Sequence, residues 1–142
     1  MKIIARKEEL SDPIIELIAR LRVNLTVDEI KCQIFRQYET GYKVLSVEEQ
    51  GAVVCIAGFR VCEKLSWGKA LYIDDLVTEE SARSSGYGSR AIDFLKEHAV
   101  SIGCSQLHLD SNIQRSSAHK FYLNKDFKIA SFHFSITNLN LS

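Results

Sequence analysis

The segment with the clearest chemical potential is Arg83-Ser84-Ser85-Gly86-Tyr87-Gly88, which joins an expected strand to an expected helix. Glycines there let the chain turn so that several N–H groups point outward at a helix N-terminus, a ready site for phosphate oxygens. Upstream, Asp74 and Asp75 stand side by side in an apolar run, where a carboxylate can hold a cationic amine or relay its proton, or equally be a structural group satisfied by backbone or an arginine at a strand end. Strand side chains alternate, so the two are expected on opposite faces, with one of them toward a cleft. Downstream, Tyr122 offers a phenol that can donate a proton, or serve as a core aromatic beside Phe121.

The glycine segment admits other readings. It can be a solvated turn. It also fits a dinucleotide fingerprint, since Gly86-Tyr87-Gly88-Ser89-Arg90-Ala91 matches G-x-G-x-x-G/A and Asp110 follows about twenty residues on. Against a Rossmann-type enzyme, the polar stretch 78–85 separates the glycines from their strand, and the chain beyond Asp110 is too short for a second βαβ half.

The elements that must position these residues follow from pattern. A first strand is expected at 2–6. Asp12 before Pro13 signals a helix start, and Ile14, Leu17, Ile18 and Leu21 supply its buried stripe. Thr26 and Glu29 have capping-box spacing for a second helix, which Gly41 ends. Residues 42–48 and 52–61 flank a turn at Gln50-Gly51 and predict an antiparallel hairpin, followed by a strand at 71–77. Ala91, Ile92, Leu95 and Ala99 mark one face of a helix from 86 to about 102, with Gly103 as its stop. A short strand at 106–110, a short helix at 117–124 and a long last strand at 127–136 complete the order. This is an α/β or α+β domain.

The chain has 142 residues, enough for a single domain spanning 1–142 with a real core. Its 46% hydrophobic and 25% charged residues exclude disordered and fibrous classes. The 18 basic and 18 acidic residues balance, so no global field draws it to nucleic acid or an anionic membrane. Cys32, Cys55, Cys62 and Cys104 are scattered without metal-ligand spacing, which argues for no metal and for a reducing, cytoplasmic setting. The apolar run near the N-terminus is too short for a signal peptide or a membrane span.

Several of these segments together resemble the GNAT superfamily of acetyl-CoA-dependent N-acetyltransferases. Arg83-x-x-Gly86-x-Gly88 matches its pyrophosphate-binding signature R/Q-x-x-G-x-G. Leu76-Val77-Thr78 stands where that family's fourth strand ends beside the pantetheine arm. Ala118-His119-Lys120-Phe121-Tyr122 is similar to its A-x-x-x-Y segment, whose tyrosine points at the CoA sulfur. The chain departs from the pattern in three places: Ser84 and Ser85 replace basic or glycine residues, Arg115 replaces a common asparagine, and Asp126-Phe127 replaces Gly-Phe.

The resemblance implies a mixed, mostly antiparallel central sheet flanked by helices on both faces. It implies acetyl-CoA as acetyl donor, held by Leu76, Val77, Thr78, Arg83, Ser84, Ser85, Gly86, Tyr87, Gly88, Ser89 and His119. The acceptor would be a primary amine on a small molecule or peptide, with a homodimer left open. Tyr122 would act as general acid to the thiolate, and Asp75 would hold the amine or relay its proton. A backbone N–H at a bulge in the fourth strand would polarise the carbonyl. A CoA-binding regulatory domain without turnover is the alternative from another class.

Overall fold

The computed structural model describes residues 1–140. The chain divides into two compact units, one from Met1 to Leu109 and a second beginning at Asp110.

The first unit runs β1 (Lys2–Ile4), α1 (Asp12–Leu21), α2 (Val27–Tyr38), β2 (Lys43–Glu49), β3 (Ala52–Lys64), β4 (Gly68–Thr78), α3 (Tyr87–Ser101) and β5 (Gln106–Leu109). The strands form one five-stranded sheet in the order β1-β2-β3-β4-β5. Neighbours are antiparallel except β4 and β5, which are parallel and joined through α3, as a parallel pair requires a crossover. The mixed α+β architecture with a mostly antiparallel sheet is the one expected.

Local chemistry explains the boundaries. The α1 N-cap is Ser11, one residue before the expected Asp12, so Pro13 falls in the first turn where its missing N–H costs nothing. Thr26 caps α2 with both legs of the capping box formed, each 3.1 Å. Gln50 and Gly51 both take positive φ, 52° and 82°, the signature of a tight hairpin turn whose twist suits its strands.

Alternation along β2, β3 and β4 gives the sheet two apolar faces. On one, Tyr42, Val44, Ile56 and Val77 pack with Ile14, Leu17 and Ile18 of α1 and Ile30 and Ile34 of α2. On the other, α3 lies against β2, β3 and β4, burying Ala91, Ile92, Leu95 and Ala99, and His98 meets Phe59 edge-on at 5.8 Å. Burial of each large aliphatic side chain contributes about 1.5–3 kcal/mol. No helix among the described residues is long and apolar enough to cross a membrane.

The second unit holds α4 (Ser116–Asn124). The strand expected at 127–136 does not form: the described residues after Asp126 are neither helix nor strand, and Ile129, Phe132, Phe134 and Ile136 are 76–91% exposed. A strand exists only with a ladder partner and an apolar surface to cover, and a favourable residue pattern supplies neither.

Candidate active site

β4 is paired on its two sides to different depths. Its ladder with β3 continues to Cys55↔Thr78, whereas its ladder with β5 stops at Ile73↔Leu109. From Asp74 to Thr78, that edge of β4 therefore joins no ladder among the described residues. Free edge N–H and C=O groups are an attachment site for an extended amide chain. Val77 is buried against α1 and α2, and the Thr78 hydroxyl turns to Cys55 Sγ at 3.5 Å, so the backbone rather than these side chains is presented.

The free edge begins at a bulge. Gly58 pairs with Asp75 and Phe59 with Ile73, which leaves Asp74 as the extra residue on β4. The expectation that Asp74 and Asp75 face opposite ways fails here, because an extra residue cancels the alternation. Both carboxylates reach the α1–α2 face. Asp75 Oδ2 accepts from the Tyr42 hydroxyl at 2.7 Å, and Asp75 Oδ1 accepts from Arg22 Nε at 2.9 Å. Arg22 Nη2 also donates to the Asp74 carbonyl oxygen at 2.9 Å. Arg60 Nε forks onto the Asp74 carboxylate at 3.2 and 2.9 Å, and its guanidinium lies 5.6 Å from the Tyr42 ring centroid.

This cluster perturbs its members. Burial, followed by the negative charge of Asp75, pushes the Tyr42 phenol far above its usual range. The hydrogen bond from Arg60 to Asp74 raises the guanidinium further against partial desolvation. Tyr42 reaches Asp75 only because Gly58 has no side chain: a Cβ there would lie 1.7 Å from the Tyr42 hydroxyl oxygen.

Beyond Thr78 a short 3-10 turn, Glu80–Ala82, leads into the glycine segment. Ser84 and Gly86 both take positive φ, 70° and 81°. Gly86 is the N-cap of α3 and supplies no side-chain cap, and the first helical bond runs from Arg90 N–H to the Gly86 carbonyl at 3.0 Å. The N–H groups of Tyr87, Gly88 and Ser89 precede that bond and face outward from the helix end. The space over Gly86 is open, since a Cβ there would meet nothing within 4 Å. Arg83, Ser84 and Ser85 are exposed. Diphosphate oxygens fit this arrangement of free amides, left-handed backbone and open space.

In the second unit, Tyr122 is half-buried and meets Phe121 and Phe127 edge-on at 5.3 and 5.7 Å. Burial raises its phenol above the usual range, with Arg115 opposing. His119 Nε2 stands 2.6 Å from the Asn112 carbonyl oxygen, so this nitrogen carries the proton and donates it. Asp126, in the place of the usual glycine, keeps the turn by adopting φ 69°. Asp110 Oδ2 meets His133 Nδ1 at 3.1 Å.

The structure adds Arg22, Tyr42, Gly58 and Arg60 to the site residues read from sequence. Gly58 inside an apolar strand was a readable sign of close approach; the arginines carried no local signal. Other polar residues are engaged elsewhere. Glu79 pairs with Arg20. Tyr38 donates to the Ile4 carbonyl, and Glu39 pairs with Lys7 at the surface. No cluster of metal-ligating side chains occurs among the described residues.

A family model described as the acetyltransferase (GNAT) family matches residues 13–127. The chain is 31% identical over 137 residues to the uncharacterized N-acetyltransferase YhdJ of Bacillus subtilis (strain 168), covering 94% of this chain and 95% of that one. It is 28% identical over 120 residues to the glucosamine 6-phosphate N-acetyltransferase of Arabidopsis thaliana, covering 77% and 80%. The crystal structure of a ribosomal-protein-alanine N-acetyltransferase from Brucella melitensis biovar Abortus 2308 superposes with a TM-score of 0.81 at 16% identity, covering 96% of this chain and 98% of that one.

Proposed function

This chain belongs to the acetyltransferase (GNAT) family, and from that premise we propose that it moves the acetyl group of acetyl-CoA onto a small primary amine. That it is an acetyl-transferring enzyme follows from its family and relatives. The observation that carries the finer reading is the free edge of β4 from Asp74 onward, which opens at a bulge and leads directly into the glycine segment. The family match spans both units, which supports treating residues 1–142 as one acetyltransferase domain.

Bound acetyl-CoA supplies a thioester open to attack by a neutral amine. In our reading the amides of Tyr87, Gly88 and Ser89 hold the diphosphate, with Arg83, Ser84, Ser85 and His119 around the cofactor. The backbone of Leu76, Val77 and Thr78 runs beside the pantetheine arm. The bulge places a main-chain N–H out of register with β3, where it can polarise the carbonyl in a partly dry site. Asp75 holds the acceptor's amine and relays its proton through water. Tyr122 gives its proton to the departing sulfur, and burial favours the protonated form of its phenol.

Thiol release from acetyl-CoA against a panel of amines tests the proposal. The panel is glucosamine 6-phosphate, spermidine, an alanine-ended peptide and a free amino acid. Amine-dependent release with at least one acceptor is the expected result. Stabilisation by acetyl-CoA without thiol release from any amine would favour a binding domain, and stabilisation by NAD instead of CoA would overturn the cofactor assignment.

A further inference from the structure

Asp75 is the anchor proposed for the acceptor's amine, yet both of its oxygens are occupied. The two occupants differ in kind. Tyr42 is 1% exposed and locked in the α1–α2 core. The Arg22 side chain is 47% exposed and follows directly on the end of α1, whereas the Asp75 side chain is only 13% exposed. One contact is built into the fold and the other is exchangeable.

We propose that Arg22 is a built-in stand-in for the acceptor's ammonium group, occupying the two oxygens, Asp75 Oδ1 and the Asp74 carbonyl, that a cationic amine takes over on binding. The proposal rests on the reading of Asp75 as acceptor anchor. Charge balance supports a cation in this place. Arg60 neutralises Asp74 and Arg22 neutralises Asp75, so the cluster sums to zero. Exchanging the guanidinium for an ammonium keeps that sum, whereas a neutral or anionic ligand would leave a half-buried carboxylate uncompensated. Arg22 also lies at the C-cap of α1, its own N–H bonded to the Ile18 carbonyl, where the helix end favours positive charge of any origin. The site is thus kept in a cation-ready form by the chain itself. Only the Arg22 side of the pair is exposed, at 47%, so a competing cation can exchange with the guanidinium while Asp75 stays paired.

The test uses the whole 142-residue chain, labelled with 15N, and ethylammonium chloride as probe at constant ionic strength. The Arg22 Nε–H resonance is assigned by its loss in Arg22→Gln. Ethylammonium is expected to move or broaden this resonance saturably, in step with the backbone amides of Asp75 and Leu76. Arg22→Gln is expected to bind ethylammonium about two- to fivefold more tightly, because the competing ion pair is gone. Asp75→Asn should abolish the response. Saturation at Asp75 and Leu76 with the Arg22 resonance unmoved, or binding no tighter in Arg22→Gln, overturns the displacement while leaving Asp75 as anchor. No response near β4 in any variant overturns the anchor as well. Should Arg22→Gln fail to fold, Arg22→Lys, which keeps the charge but has no guanidinium Nε–H, supplies the assignment, and the wild-type titration then decides.

Discussion

The hydroxyl oxygen of Tyr42 lies 1.7 Å from the point at which a side chain on Gly58 would begin, with Tyr42 Cζ at 2.5 Å. The phenol fills the missing side chain's place and from there bonds Asp75. Gly58→Ala should therefore expel a fully buried ring and destabilise the chain by about 1–3 kcal/mol or more. Tyr42→Phe should cost about 1.5–3 kcal/mol, the range for a buried hydrogen bond to a charged group. The costs should be less than additive in the double variant, since the hydroxyl is the nearest colliding atom. Urea unfolding of the four proteins checks this, and wild-type stability in Gly58→Ala would contradict the packing.

The buried phenols predict alkaline instability with a definite sign. Burial raises Tyr38 from 10.0 to about 12, and Tyr42 is raised further in the same direction. The folded chain holds these protons at pH values where the unfolded chain has released them. Their contribution is thus complete below about pH 10 and is lost as pH rises, for Tyr38 across about 10 to 12. A rise of this size corresponds to about 2–3 kcal/mol for Tyr38. The urea midpoint should fall between about pH 9.5 and 11.5, and fall less steeply in Tyr42→Phe. A midpoint constant over that range would show that neither phenol is held protonated.

Gly86 tests the anion cradle separately from the fold. Its φ of 81° charges any L-residue about 1–2 kcal/mol, but a Cβ there meets open space, so Gly86→Asp should stay folded. The new carboxylate would enter the region assigned to diphosphate oxygens and should abolish CoA binding. Gly88→Asp should act likewise. Calorimetric titration with CoA, alongside circular dichroism, is decisive: retained affinity in a folded variant removes the cradle.

What the sequence made legible was local. The capping box at Thr26 and Glu29, the Gln50-Gly51 turn and the α3 stripe each depend on residues within a few positions of one another. The glycine segment was readable for the same reason. The ionic cluster was not, because Arg22 and Asp75 are 53 residues apart and meet only once α1 packs on the sheet. The bulge at Asp74 was foreseen only through the family resemblance, while the alternation rule applied to the same residues gave the wrong face. The last strand failed for a related reason: the pattern at 127–136 states what would fit a sheet, and pairing is decided elsewhere.

Asp126 shows a local departure with an energetic consequence. It holds φ 69° where a glycine would be unstrained, and its short polar side chain tolerates this better than most. Asp126→Gly should raise stability by up to about 1 kcal/mol, the relief being offset in part by the greater freedom of glycine in the unfolded chain. A thermal melt at neutral pH reads the change. A clear loss of stability would mean that the aspartate makes a compensating contact.

Tyr122 separates chemistry from packing. Tyr122→Phe keeps the ring and its edge contacts to Phe121 and Phe127 and removes only the hydroxyl. If that hydroxyl protonates the departing thiolate, the maximal rate should fall by roughly ten- to a thousandfold with acetyl-CoA affinity nearly unchanged. A parallel loss of affinity would instead make the hydroxyl a cofactor contact. A purely structural aromatic would leave the rate intact and stability nearly unchanged, since phenylalanine keeps the ring contacts. The raised phenol pKa adds a second readout. Burial holds this proton more tightly than in an ordinary tyrosine, so any decline of the wild-type rate through its loss should set in at a higher pH than an ordinary phenol would give. Turnover, CoA affinity and melting temperature measured on the same variant distinguish the three roles, and an unchanged maximal rate would remove Tyr122 from the reaction.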